Sequence, residues 1–501
     1  MRTGVLRLGI PLHLAIVGLA GATALTFLVS RVDAPMALGA VIALAGLLLV
    51  FAAPFLGVLL GVFVLYTNLP AGAAAHGVIP NEATALVGAL FIPAFLQQLV
   101  LRRSVLRVDR TFALMVAFLG VMFVSGYFAV DVPLVLSYIS SYAVEGLVVF
   151  LLVLNTVRDR RSLTRVLAVV VGAAAFLGSL SIYQAVTGNY QQEFLGLANR
   201  ALEAAEHRAR GPTDDANRYG QILLMAGSFG LALAWTLEGR KRWAVLGSLA
   251  LIFAAILLTY SRGAFLTLVI LVLFLGALRV ITPRRLALIL LAGIVLTPVI
   301  APEYIDRIRS ISGAAGMVSD DAMVEADGAT RGRTTQMLAA ALAFSEHPVL
   351  GVGPGQYVPY HSVRYVQRPE IAFREIAVPR RAHNLYVELA AELGAIGLLL
   401  FLTIPGLLLR DLWRIRKDAR SLRPDIDRLA LGFILAILAY LGSGMFLHLA
   451  FQRYYWLLIG LTAAAVWILR GELREERETG LPPVPAPHEE ARALTPSEAR
   501  R

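Results

Sequence analysis

The chain has 501 residues, of which 58% are hydrophobic and only 16% charged, and a mean hydropathy of +0.71, far too apolar for a soluble domain, in which about 25% of residues are charged. It contains no cysteine, which excludes a disulfide framework and thiolate chemistry or metal ligation. The net charge of +11 sits in short arginine clusters between apolar runs, the pattern of cytoplasmic membrane loops, so no nucleic-acid partner is implied.

Apolar runs able to cross a bilayer, at about 17–25 residues each, begin near the N-terminus. Residues 12–29, 36–51, 55–69, 83–101, 111–130, 134–154 and 166–186 form the first group. The first run follows Arg2 and Arg7 and contains Ala20-Gly21-Ala22, as a signal peptide does, but its apolar length and the many later runs favour an uncleaved signal anchor. Runs 36–51 and 55–69 are short and parted only around Pro54, so a re-entrant pair there would lower the total from about fourteen spans to about twelve. The second group is 219–237, 243–259, 263–278, 286–301, 385–409, 429–448 and 454–469. The expectation is an all-α integral membrane protein, a polytopic helical bundle of about 12–14 spans with a large external helical loop. Its organisation reads as an N-terminal bundle (1–186), a central region with an external loop at 187–218 (187–301), an external loop subdomain (302–384), C-terminal helices (385–470) and a disordered tail rich in Pro, Glu and Arg (471–501).

Basic residues in short loops stay cytoplasmic. The clusters at 102–110, 158–165, 240–242, 279–285 and 410–428 all fall on one side of a fourteen-span chain, together with both termini. The other side then receives 71–82, 187–218, the turn Tyr260-Ser261-Arg262 and the long polar segment 302–381. Within that segment Gly328 to Thr330 open a helix in which Met337, Leu338, Ala341, Leu342 and Phe344 recur at helical spacing up to Pro348, an amphipathic helix expected at the membrane surface. The run Gly351-Val352-Gly353-Pro354-Gly355 follows; its amides could approach a phosphate, and it also reads as a plain turn.

Several cations converge on the external side, where basic residues are normally depleted. His383 and Asn384 stand at the entrance to the run 385–409, Arg218 and Arg262 at the ends of two other runs, and Arg331, Arg333, Arg380 and Arg381 in the external loop. An anionic ligand explains such placement, because guanidinium groups bind phosphate bidentately and keep their charge. Each has an ordinary alternative: Arg262 can snorkel to headgroups, Arg218 can pair with Asp214 or Asp215, Arg333 can decorate a helix start, and Arg331, Arg380 and Arg381 can touch headgroups. His383 has the setting of a general base at neutral pH; its alternatives are a structural histidine and a residue that orients the diphosphate. His448, His361, His347, His207, His76 and His13 lack that setting, and Asp214-Asp215 and Asp320-Asp321 read as solvated carboxylates, so no metal site and no cofactor are expected.

His383-Asn384, nine residues, Gly394, two residues and Gly397 resemble the signature of bacterial O-antigen ligases, and Arg262-x-x-x-Leu266 resembles a second element of that family. The run from Ser345 to Gly355 is similar to the stretch that precedes the histidine in the wider ligase and polymerase superfamily. The resemblance covers about 217–397 and implies a metal-independent glycosyltransferase of C-type architecture, taking a glycan from undecaprenyl diphosphate at the external face of the bacterial inner membrane. It implies His383 as the catalytic histidine, Arg262 as the motif arginine and Arg218 and Arg333 as external arginines; from their chemistry the three arginines are candidate diphosphate ligands, with Asn384, Gly353 and Arg381 as candidates in support. The acceptor would be lipid A core in a ligase and another lipid-linked repeat in a polymerase. A transporter is the reading from a different class; the absence of an inverted repeat and the placement of the charges at one face weigh against it.

Overall fold

The structure, a computed structural model, describes residues 50–75, 88–199, 207–301, 328–368, 371, 378–448 and 453–479. Among these residues the chain is helical, with no strand. In chain order the helices are α1 (Pro54–Thr67), α2 (Leu69–Ala75), α3 (Gly88–Leu101), α4 (Arg110–Gly126), α5 (Val132–Thr156), α6 (Arg160–Thr187), α7 (Ala216–Thr236), α8 (Gly239–Leu258), α9 (Arg262–Ala277) and α10 (Pro283–Ile300). After them come α11 (Gly328–Glu346), α12 (Leu385–Ala419), α13 (Pro424–Gly444) and α14 (Arg453–Thr479).

Among the described residues 7 helices, or up to 8 if the bent pair α1–α2 is one span, are long and apolar enough to cross a membrane, and α3, α4 and α9 are shorter apolar helices. The polytopic helical architecture stands, while the expected 12–14 spans are not all reached by length and composition. The run 12–29 and nearly all of 36–51, with the signal anchor and His13, lie outside the described residues, as do His76 and residues 302–327. The helix is interrupted at Ala53, before Pro54, while most of the run 36–51 lies outside the described residues; a second break at Asn68, whose backbone is left-handed (φ 55°), turns α2 by 56° from α1.

Boundaries follow local chemistry. Asp109, Asp131, Asp159 and Ser261 each accept a backbone N–H from the first turn of α4, α5, α6 and α9, satisfying donors that an apolar helix start leaves open. At the other end, α14 runs on to Thr479, so residues 471–479 are helical where a disordered tail was expected. Glu472 and Glu476 explain the extension: they reach Arg160 and Arg423 at 3.4 and 3.3 Å and fasten the helix end to its neighbours.

The core runs between α4, α5, α12, α13 and α14, where Phe118, Tyr142, Phe401, Tyr440, Tyr455 and Trp456 are all buried. Tyr455 stacks on Tyr440 and on Phe401 at 4.7 and 4.8 Å, and Trp456 meets Tyr142 edge-on at 4.9 Å. In lipid such packing, rather than water expulsion, holds helices together, and each aromatic pair adds about 0.5–1.5 kcal/mol. α7 and α13 approach closely at Gly432, where a Cβ would lie 2.3 Å from Ala232.

The basic loops meet at one end. Arg110 pairs with Asp411, Arg158 donates to the Val105 carbonyl, Arg160 reaches Asp425 at 3.0 Å, Arg416 reaches Asp427 at 2.8 Å, and Arg428 donates to the Trp235 carbonyl at 3.0 Å. The clusters separated in sequence are therefore neighbours in space. The opposite end gathers 207–218, 259–262, the described part of 328–384 and 445–448.

α11 does not lie apart as a surface helix. It buries Ala339, Ala340 and Ala343 in a second small core with Tyr357, Tyr365 and Ala382, docked on the first turns of α12.

Candidate active site

α12 is two helices joined at Gly394, whose backbone (φ 66°, ψ −169°) departs from the helix. The break frees the carbonyls of Ala391 and Glu392, which accept the amides of Val352 and Gly353 at 2.9 Å each. In return Ala395 donates to the Pro348 carbonyl at 2.8 Å. The loop 348–353 is thus stitched into the gap. A Cβ on Gly394 would lie 2.1 Å from the Val349 carbonyl oxygen, and one on Gly351 (φ 68°) 2.3 Å from the Glu392 carbonyl carbon, so the glycines are required by contact and by conformation. The Gly353 amide, a candidate phosphate donor from sequence, is occupied by this lock, and the residue sits against Ala129 and Gln356.

One turn into α12, Glu388 is buried and clamps the chain before the helix. Its carboxylate accepts the Arg381 guanidinium at 2.9 Å and the Ala382 amide at 2.8 Å. Arg381, expected near headgroups, is held there and also donates to the Tyr138 hydroxyl at 3.3 Å. Asn384 caps α12, accepting the amides of Tyr386 and Val387 at 3.0 and 3.1 Å, and its Nδ2 donates to the Met445 carbonyl at 3.1 Å. His383 lies between these two clamps with a left-handed backbone (φ 51°). A non-glycine residue in that region costs on the order of 1–3 kcal/mol and persists only where its surroundings fix it.

The Asn384 contact to Met445 brings in the segment after α13. His448 packs edge-on against His383, ring centroids 5.5 Å apart, and its Nε2 lies 3.5 Å from the Arg218 guanidinium. Each imidazole buries an Nδ1 that has no hydrogen-bond partner among the described residues. Burial, reinforced by Arg333 and partly opposed by Asp215, pushes the His383 imidazole down to about 4. Burial also lowers His448, aided by Arg381, His383 and Arg218. Both rings are neutral at neutral pH.

Arg218, in the first turn of α7, pairs with Asp214 at 2.8 Å while facing His448. The pairing foreseen from sequence and the site-facing placement coexist; Asp214 is 79% exposed, so the pair holds the arginine only weakly. Arg262 opens α9, and the adjoining Gly263 backs onto Phe446 with room for no Cβ (2.9 Å), which places the start of α9 beside the segment that carries His448. Arg333 lies on α11 and acts electrostatically on His383. Next to Arg218 opens a polar cavity of about 200 Å³ lined by Asn68, Thr213, Asp214, Arg453 and Tyr454 among others.

His383, Asn384, Arg381, Arg333 and Arg218 are therefore brought together, Arg262 stands beside them, and Gly353 belongs to the lock in α12. Sequence reasoning missed His448 and Glu388. The signals existed: His448 ends an apolar run on the same side as His383, and Glu388 and Glu392 are acids one turn apart in an apolar helix, a costly placement that calls for partners.

Residues 247–402 match the family model described as O-antigen ligase. Over this part the chain is similar to the O-antigen ligase family. A search of curated proteins gives no match. The ligase match spans Arg262, Arg333, the glycine lock and His383, and it supports a glycosyltransferase of the O-antigen ligase or polymerase type that acts on lipid-linked glycans. Arg218 and His448 lie outside the matched residues.

Proposed function

We propose that this protein is an O-antigen ligase-like glycosyltransferase of C-type architecture in the bacterial inner membrane. It transfers a glycan from undecaprenyl diphosphate to lipid A core or a similar glycolipid acceptor. An acceptor hydroxyl attacks the anomeric carbon as the bond to the diphosphate oxygen breaks, inverting the configuration. The hydroxyl proton passes to neutral His383 and onward to the departing undecaprenyl diphosphate. Guanidinium groups of Arg262, Arg218 and Arg333 stabilise the charge that builds on the leaving group, without a metal.

The observation that carries this reading is a half-buried imidazole at His383 with a buried, unpartnered ring nitrogen, placed between the Asn384 cap and the Glu388 clamp among arginines. A base in hydrogen-bond reach of a poor nucleophile contributes about 10²–10⁴-fold. His383 matches the catalytic histidine of the family signature, which favours ligase over polymerase.

The basic end faces the cytoplasm by the usual charge bias, with both termini there, and the His383 end faces the periplasm. Because the chain has no native cysteine, single cysteines at Asp214 and Lys417 test this: Asp214→Cys labels only from outside and Lys417→Cys only from inside, and the reverse pattern sinks the placement.

The decisive assay mixes purified protein, undecaprenyl-diphosphate glycan and lipid A core in the presence of chelator. Release of undecaprenyl diphosphate with a glycan–lipid A conjugate, lost in His383→Ala, supports the ligase. Lengthened glycan still on undecaprenyl diphosphate makes it a polymerase. Neither product, with solute crossing proteoliposomes regardless of His383, leaves the transporter.

A further inference from the structure

At the end of the molecule far from His383, α9, α12 and α13 enclose a groove on two levels. The level nearer the bundle centre is an apolar cavity of about 470 Å³ lined by Phe274, Leu409, Trp413, Ile434 and Leu438, with Arg410 and Arg414 at its edge. Directly beyond it a second cavity of about 150 Å³ is lined by Trp413, Lys417 and Arg420 with Leu278, Arg416 and Asp427. Trp413 is common to both and is 46% exposed, the position of an aromatic anchor at a membrane–water boundary.

The groove carries its own concentration of charge. Arg110, Arg160, Arg423 and Arg477 at this end are matched by carboxylates, and Asp427 in the lower cavity is already taken by Arg416 at 2.8 Å. Arg410 has only a distant Asp411 at 3.9 Å, and Arg414, Lys417 and Arg420 make no ion pair among the described residues. These four lie at spacings of four and three along α12, so they form one cationic edge beside the apolar level. An acyl-chain-sized apolar slot capped by uncompensated cations at the headgroup level complements a single kind of molecule.

We propose that this groove is a binding site for an anionic glycerophospholipid, its acyl chain against Phe274, Ile434 and Leu438 and its phosphate against Arg414, Lys417 and Arg420. A basic pocket between helices at the cytoplasmic side holds such headgroups by charge, and the acyl slot adds selectivity over a soluble phosphate.

The test uses the full chain in nanodiscs of phosphatidylcholine doped with equal small amounts of phosphatidylglycerol and phosphatidylethanolamine, with lipids retained on the purified protein measured by mass spectrometry. Phosphatidylglycerol should be enriched at least about tenfold over phosphatidylethanolamine, and Arg414→Ala/Lys417→Ala/Arg420→Ala should remove that enrichment. Leu438→Trp, which fills the slot and keeps every cation, should remove it as well. Equal retention of both lipids by the wild type overturns the proposal, as does enrichment that survives either variant. Displacement of phosphatidylglycerol by an equal concentration of inorganic phosphate also overturns it, because the site would then read charge alone. Unchanged melting temperatures of both variants in pure phosphatidylcholine show that a loss is not unfolding.

Discussion

The two ends of this molecule both carry arginines and treat them differently. At the basic end the protein supplies its own counter-charges: Arg110, Arg160, Arg416, Arg423 and Arg477 all meet aspartate or glutamate carboxylates. Around His383 the carboxylates serve another purpose. Glu388 spends its oxygens on Arg381 and the Ala382 amide, Asp214 is largely in solvent, and the two histidines, both neutral, add no positive charge to the site. One end spends its carboxylates on structural ion pairs that tie helices together and leaves the cations of the α12 edge unmatched; the other keeps its cations oriented around neutral bases, as a site for a diphosphate requires.

The sharpest way to break the comparison is through the lock that holds the active end. Gly394→Ala forces a Cβ to within 2.1 Å of the Val349 carbonyl and an alanine into φ 66°. We expect a loss of more than ~3 kcal/mol and release of the 348–353 loop. Gly406→Ala, further along the same helix, has nothing within 4 Å of its Cβ and should be silent in a thermal melt. A Gly394→Ala protein as stable as the Gly406→Ala one would mean that the lock is not strained.

Next in size is the clamp. Glu388→Gln keeps its shape but loses the charge that holds Arg381, so His383 should lose its fixed placement and kcat should fall about 10–100-fold with KM for donor nearly unchanged. At the basic end Glu472→Gln removes a comparable contact to Arg160 and should leave kcat alone, costing at most about 1 kcal/mol. Equal kinetic effects from the two variants would erase the distinction between the ends. A smaller shift is expected from Asp214→Asn: its pair with Arg218 is exposed, so stability should change by under about 1 kcal/mol, and donor KM should not rise. A large KM increase would make Asp214 the residue that orients Arg218.

Much of the fold was legible in the sequence, because apolar runs and arginine clusters are the constraints a bilayer imposes. Those clusters, hundreds of residues apart, do meet at one end through Arg110–Asp411 and Arg160–Asp425. The break at Gly394 was not legible as a break: glycine spacing gives no sign that the run 348–353 fills the gap, which is a long-range exchange of hydrogen bonds. The helical length of α14 was hidden too, since its polar end reads as a tail until its acids find Arg160 and Arg423. In the site, His383 and Asn384 were visible through local order alone, as neighbours at a helix start. His448 was set aside because its partner is 65 residues away in sequence and adjacent only after α12 and α13 fold back on each other.

The central claim is that His383 is a neutral base whose protonation is suppressed by burial and by Arg333, and the pH dependence of kcat/KM in the reconstituted transfer tests it most directly. A base must be unprotonated to work, so activity falls as pH drops through its value and is flat above it; kcat/KM reports the free enzyme. The account predicts an acid limb near 4, below the ordinary histidine value of 6.5, and an upward move of that limb in Arg333→Ala, which removes a cation that disfavours the protonated ring. A limb at 6.5 in the wild type, or one that stays in place when Arg333 is removed, would contradict it.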